Sequence, residues 1–397
     1  MKEKYSRVAI FSSIFIAIFL LHLLSRWWVF RTTGIYGGKF FDLQSVLDSE
    51  KCFRSNGMSV YNYDKSAICA NGYMYGISLL YLLRLILIFT SSTFVIGMLG
   101  LVSTSVILGM IAHLYWSGTK KSALFLIVSL SSPGTWLLVE RGNIDQLILL
   151  LLFGACIAFS RNRDIFGVIL LTISILLKFY TLPLLLFALI ILPGKRTKML
   201  SLILLITVTP LTIWNISQVH GFPSSWFVSF GLPVIPKYSE ALAIFMPALV
   251  DYLLGIIFIL GLVMGVRCLP FFGSMQLEKG SFQPPRNLAK VVMALFGITF
   301  LTCYFSGTNF DYRLVFLAIF GSGLSAVIRP QKIRIPFLPM IFLASLWCTD
   351  FSFGIHLNYA FGIWQFTGDV FLAIFVALVI GLALGLMRKT NEKLLKA

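Results

Sequence analysis

Long apolar runs recur along this chain and are separated by short basic connections, and this constrains its fold more than any other feature. The first run extends from Val8 to Phe30 behind the leader MKEKYSR. It is long for a signal-peptide core, and no small-residue cleavage site follows it, so it reads as a retained span. Crossing a hydrocarbon core takes ~20 apolar residues. Further runs fall at 93–116, 122–139, 147–160, 165–179, 180–193, 197–214, 247–266, 290–305, 314–328, 335–349 and 368–387. Together they predict about twelve crossings, several of them short. Composition agrees: 58% of the residues are apolar and 12% are charged, against roughly 25% charged in soluble domains. The expectation is an all-α polytopic membrane protein forming one membrane domain over 1–397. A disulfide-stapled secreted domain, a nucleic-acid-binding module and a disordered tail protein are excluded.

The formal charge of +17 follows from orientation. Cytoplasmic loops of membrane proteins carry an excess of Lys and Arg. The segment Tyr73–Phe89 is apolar but short and contains Arg84. If it crossed, Lys120/Lys121, Arg161/Arg163 and the 195–198 cluster would move outside. Laid along the outer surface, it leaves all of them inside. The inner side then holds 21 Lys and Arg against 4 Asp and Glu, while the outer side is balanced. The charge therefore needs no acidic partner. The inner loops read as topology signals, and 267–289, with Gly273, Gly280, Pro284 and Pro285, reads as a connector.

The outer side carries most of the carboxylates, and its first loop is the longest. Residues 31–92 form this loop together with the surface helix. From Phe40 to Phe53 the apolar positions Phe41, Val46, Leu47 and Phe53 outline an amphipathic helix lying on the membrane. Asp42 stands at its start, either as a helix cap or as a reactive carboxylate. Cys52 and Cys69 share the loop and are disulfide candidates in an oxidising compartment; the alternative is two buried thiols. Cys156, Cys268, Cys303 and Cys348 read as packing residues.

Three further constellations lie at outer ends. Glu140-Arg141-Gly142-Asn143-Ile144-Asp145-Gln146 is mostly polar and wedged between apolar spans, so it faces a wet cavity or pairs internally. Glu140 with Arg141 is one possible ion pair, and Arg141 with Asp145 is another, one turn apart. Lys178, in ILLKFYTLP, either snorkels to the surface or points at an anionic group. Asp311 and Arg313, in GTNFDYRL, form a surface pair or position a phosphate. The four His lack metal-ligand spacing, so no metal is expected. No nucleotide loop, serine elbow or redox motif occurs.

The stretch from Glu140 to Lys198, with its R-G-N knot, basic turn, Gly-containing span and Lys178…Pro183, resembles glycosyltransferase family 87. This is the polyprenyl-phosphate-mannose-dependent mannosyltransferase-like branch of the GT-C superfamily. In the first loop, an Asp shortly after the first span, Val60-Tyr61 and an aromatic surface helix follow the same layout. This helix has Tyr75-Gly76-Ile77 where the family often has Y-P-P, and the Lys–Pro gap is wider than usual. The resemblance covers roughly residues 1–200, with GTNFDYRL as a further point.

The resemblance implies a GT-C-like bundle with a catalytic carboxylate in the first outer loop. By position this is Asp42, with Asp48 and Asp64 as fallbacks. It implies an inverting transfer of mannose or a similar hexose from a polyprenyl-phosphate donor to a hydroxyl of a lipid or glycan acceptor. Arg84, Glu140, Arg141, Asn143, Asp145, Lys178, Asp311 and Arg313 are the expected substrate-binding residues. Neither a cofactor nor a nucleic-acid partner is implied; the expected partners are the donor, the acceptor and membrane lipids. The expected location is a bacterial inner membrane with the site on the periplasmic or extracellular side. The rival reading is a lipid-linked sugar flippase or other transporter, for which mid-span charges and internal repeats would be the usual signs.

Overall fold

The computed structural model describes residues 2–24, 40–57, 77–87, 92–192, 194–218, 229–230, 288–306, 309–310, 313–328, 338–347, 370–377 and 379–380. These are helical throughout, apart from the turns and one two-residue bridge. In chain order the helices are α1 (Lys2–Leu24), α2 (Phe41–Asn56), α3 (Ile77–Leu87), α4 (Thr93–Tyr115), α5 (Lys120–Leu130), α6 (Pro133–Glu140), α7 (Asp145–Ser160) and α8 (Asp164–Leu177). After a 3-10 turn (Phe179–Thr181) come α9 (Pro183–Ile191), α10 (Lys195–Gln218), α11 (Leu288–Ser306), α12 (Leu314–Ile328) and α13 (Leu338–Trp347). Strands β1 (Ser229–Phe230) and β2 (Asn309–Phe310) pair antiparallel, Ser229 opposite Phe310.

Among the described residues four helices are individually long and apolar enough to cross a membrane: α1, α4, α10 and α11. Helices α5 and α6 make a fifth if their 50° bend is counted within one span. The chain is thus an α-helical membrane protein, but about twelve spans are not found among the described residues. The apolar windows do coincide with helices, yet many of those are cut short. Ser132 and the N1 proline Pro133 separate α5 from α6, because proline offers no amide to the preceding turn. Pro183 likewise opens α9. By helical rise, α7 reaches about 24 Å and α9 about 13 Å, both less than a bilayer core. The run 247–266 and half of 368–387 lie outside the described residues. Of the segment Tyr73–Phe89, the described part is helix α3, which spans about 16 Å by helical rise.

Local sequence explains the boundaries. The Ser92 hydroxyl accepts from the Val95 amide and starts α4, and the Thr119 hydroxyl does the same for Ser122 at α5. Both are ordinary N-caps. Asn162 turns α7 into α8 with φ 59°, a conformation Asn tolerates better than most residues. Helix α1 packs along α4, α7 against α8, α11 against α12, and α10 against α8 and α9. The shared core includes Phe15, Phe19, Phe296, Phe300 and Phe316, all fully buried. Helices α1 and α4 meet closely at Gly109, where a Cβ would sit 2.8 Å from the Ser12 amide nitrogen.

Overpacking a tight contact costs about 1–3 kcal/mol. Gly109→Leu is therefore expected to lower thermal stability in detergent clearly. Val102→Leu, on the exposed side of the same helix, is expected to leave it unchanged.

Candidate functional site

One polar network gathers at the end of the bundle where α6 stops, α7 starts, α8 stops and α12 starts. Its centre is Asp145, the first residue of α7 and 0% exposed. Lys178 Nζ lies 2.6 Å from Asp145 Oδ1, the Tyr180 hydroxyl donates to the same oxygen at 2.6 Å, and Arg313 Nε reaches Oδ2 at 3.3 Å. The Arg313 guanidinium also stacks over the Tyr180 ring at 4.8 Å, a cation–π contact. Burying a charge is costly unless it is paired and hydrogen-bonded. Here one carboxylate is met by two cations and a phenol from three separate elements. Its place in the first turn of α7 also suits the helix dipole.

Asn143 extends the network. Its Oδ1 accepts from Lys178 Nζ at 3.0 Å and from the Asp145 amide at 3.0 Å. Its Nδ2 donates to Asp42 Oδ2 at 2.6 Å. Arg141 grips the other oxygen of Asp42, with Nε at 2.7 Å and Nη2 on the same atom. One chain of contacts therefore runs from Arg141 through Asp42, Asn143 and Lys178 to Asp145, Tyr180 and Arg313.

The backbone explains how Asp42 comes to lie there. No side chain caps α2. Instead the Phe40 amide donates to the Glu140 carbonyl at 2.7 Å, and the Asp42 and Leu43 amides donate to the Arg141 carbonyl. The donors left open at a helix start are thus closed by the end of α6, and the Asp42 carboxylate is not spent on capping. The docking holds Phe40 in the left-handed region, φ 59°, a strained conformation for a bulky residue. It also brings Phe40 and Leu43 onto Gly142, where a Cβ would lie 3.1 Å from the Phe40 ring. Gly142 itself has φ 60°, so both its backbone and its neighbours favour glycine. The Thr93 hydroxyl to Gln44, at 2.6 Å, ties α2 to α4 as well.

Of the residues expected from sequence, Asp42, Arg141, Asn143, Asp145, Lys178 and Arg313 come together here. Glu140 is adjacent, but its side chain takes His22 of α1 at 2.6 Å, and Arg141 pairs with Asp42. Arg84 lies elsewhere, 3.8 Å from Glu50, and Glu50 stands two turns along α2 from Asp42, about 12 Å by helical rise. Asp48 bonds the exposed Lys51. Cys52 is disulfide-bonded, while Cys156 and Cys303 are free and buried. Asp311, Asp64, Cys69, Cys268 and Cys348 lie outside the described residues. Among the described residues no three His, Cys, Asp or Glu side chains gather as a metal would need. Sequence reasoning missed Tyr180 and His22. Tyr180 stands two residues past Lys178, and His22 is a polar residue inside an apolar run, which was the available signal.

Compared with protein-family models, curated proteins and solved structures, the chain matches none.

Removing one partner of a buried ion pair costs about 3–5 kcal/mol, because the other is left uncompensated. Asp145→Asn takes the shared carboxylate from both Lys178 and Arg313, whereas Lys178→Met leaves Asp145 with Arg313 and Tyr180. Thermal unfolding in detergent should therefore rank Asp145→Asn below Lys178→Met, and the reverse order would remove Asp145 from the centre of the network.

Proposed function

We propose that this protein is a membrane glycosyltransferase of the GT-C type. It would transfer a hexose such as mannose from a polyprenyl-phosphate donor to an acceptor hydroxyl, with inversion. The reading rests on one observation: residues from four separate stretches, at 42, 141–145, 178–180 and 313, converge into one hydrogen-bonded group at one end of the bundle. It carries two carboxylates, Asp42 and Asp145, beside three cations, and a carboxylate with cations at hand is what glycosyl transfer from a lipid phosphate requires.

Asp42 acts as general base. Arg141 and Asn143 fix its orientation, and the second lone pair of Oδ2 is left to receive a proton. The acceptor O–H gives that proton to Asp42, its oxygen bonds to the anomeric carbon, and the carbon–phosphate oxygen bond breaks from the opposite face. The bonding electrons leave with the polyprenyl phosphate. Arg141, Lys178 and Arg313 stabilise the charge gathering there, as preorganised cations do. Asn143 couples the base to the cations, so that their spacing is held by one side chain.

A GT-C-like bundle and the site's placement on the periplasmic or extracellular face of a bacterial inner membrane belong to the same proposal. The disulfide at Cys52 supports an oxidising compartment for the loop that holds Asp42. A transporter of lipid-linked sugars is the second reading. It is favoured by Lys178 lying at the break between α8 and the 3-10 turn, since broken helices hold substrate in many transporters.

Purified protein incubated with a panel of labelled polyprenyl-phosphate sugars should release free polyprenyl phosphate. Asp42→Asn should abolish that release, by a factor of about 10³ or more if the base is essential, while the protein stays folded. Full turnover in Asp42→Asn would move the base elsewhere. Movement of labelled lipid across proteoliposomes without phosphate release would favour the transporter.

A further inference from the structure

A second charged group sits at the far end of α2. Glu50 is buried there, its side chain 2% exposed, at the seam between α2 and α3. Arg54 Nη2 donates to both of its oxygens, at 2.9 and 3.0 Å. Arg84 of α3 approaches the same carboxylate, but only to 3.8 Å, beyond hydrogen-bond reach. The two guanidiniums are half in the open, 53% and 51% exposed. One buried anion thus anchors two outward-facing cations, leaving the seam with a surplus positive charge.

The surroundings are apolar. The side of α3 that carries Arg84 also carries Tyr81 and Leu85, both exposed, at the i, i+3 and i+4 spacing of one helical face. Tyr81 meets the Phe53 ring of α2 edge-on, with centroids 5.7 Å apart. The opposite face, Leu79, Leu80 and Leu83, is buried. In a membrane protein an exposed Tyr–Arg–Leu face on a helix too short to cross suits the interface. There the aromatic and aliphatic groups meet acyl chains, and the guanidinium meets headgroups. A guanidinium presents planar pairs of donors that match phosphate oxygens, and those of Arg84 make no hydrogen bond to Glu50.

We infer that Arg54 and Arg84, oriented by Glu50 and flanked by Tyr81 and Leu85, form a binding site for the phosphate of an anionic membrane lipid, separate from the Asp42 network. Basic pockets at the membrane surface bind such headgroups. The two groups share α2, with Asp42 at its start and Glu50 and Arg54 in its later turns, so a lipid held at the seam also holds the helix that carries Asp42. The inference needs only the membrane setting and stands apart from the glycosyl-transfer reading.

The test is native mass spectrometry of the full-length protein, with phosphatidylglycerol competed against phosphatidylcholine. The wild type should retain phosphatidylglycerol preferentially, and Arg54→Gln/Arg84→Gln should lose that preference at least tenfold. Leu85→Ala with both arginines intact should keep most of it, and thermal unfolding should show the double variant folded. Wild-type retention in the folded double variant would overturn the site. Displacement of the lipid by millimolar inorganic phosphate would overturn the lipid assignment and leave a site for a free anion. If lipid selectivity is lost while polyprenyl-phosphate turnover persists, or the converse, the two proposals are separated.

Discussion

A carboxylate sealed from water at the start of α7 is what the rest of this structure depends on. Asp145 has no exposed surface, and an isolated charge in such a place would not be tolerated. Its burial is made possible by Lys178 at the end of α8, Tyr180 in the 3-10 turn and Arg313 ahead of α12. Those three elements are thereby pinned to the start of α7. Sequence distance is no obstacle: Arg313 is 168 positions from Asp145. The network orders four helix ends at once, which apolar packing alone would leave free to slide.

From this centre the influence reaches α2 by two routes of different kind. Through side chains, Asn143 joins Lys178 to Asp42. Through the backbone, the carbonyls of Glu140 and Arg141 close the amides at the start of α2. Strain at Phe40 and the need for glycine at 142 are the local consequences of bringing two helix ends into such contact. The far end of α2 is organised on an opposite principle. At the start of the helix the cations are largely enclosed and paired; at Glu50 the anion is enclosed and the cations face outward. The first arrangement suits a site that excludes water, the second a surface that meets an anion from outside.

Much of this was legible from residues alone, for a simple reason. Polar side chains are rare in this chain's apolar segments, so Arg141, Asn143, Asp145, Lys178 and Arg313 stand out, and their costs in a membrane imply that they meet. The partners were not legible. Glu140 next to Arg141 looks like an ion pair, yet Glu140 takes His22 and Arg141 takes Asp42. Arg84 looks like one more cation for the same site, yet the docking of α3 along α2 delivers it to Glu50. Tyr180 looks like a packing aromatic beside Lys178, and its hydroxyl becomes a donor only once Asp145 is brought up to it. Helix lengths misled for another reason: the hydropathy window 122–139 runs through Ser132-Pro133, where the missing proline amide breaks the hydrogen-bond ladder.

The sequence by itself determined the class and the ingredients: an α-helical membrane protein, the order of its apolar segments and a short list of charges too costly to leave alone. Those follow from hydropathy, helix period and the cost of charge in an apolar medium, all of them local properties. Only the tertiary structure decided which charges share a carboxylate, that Asp42 is free of capping duty, and that Arg84 serves a second group. Such choices depend on the relative placement of helix ends far apart in the chain, and hydrogen bonds of about 3 Å are set by that placement.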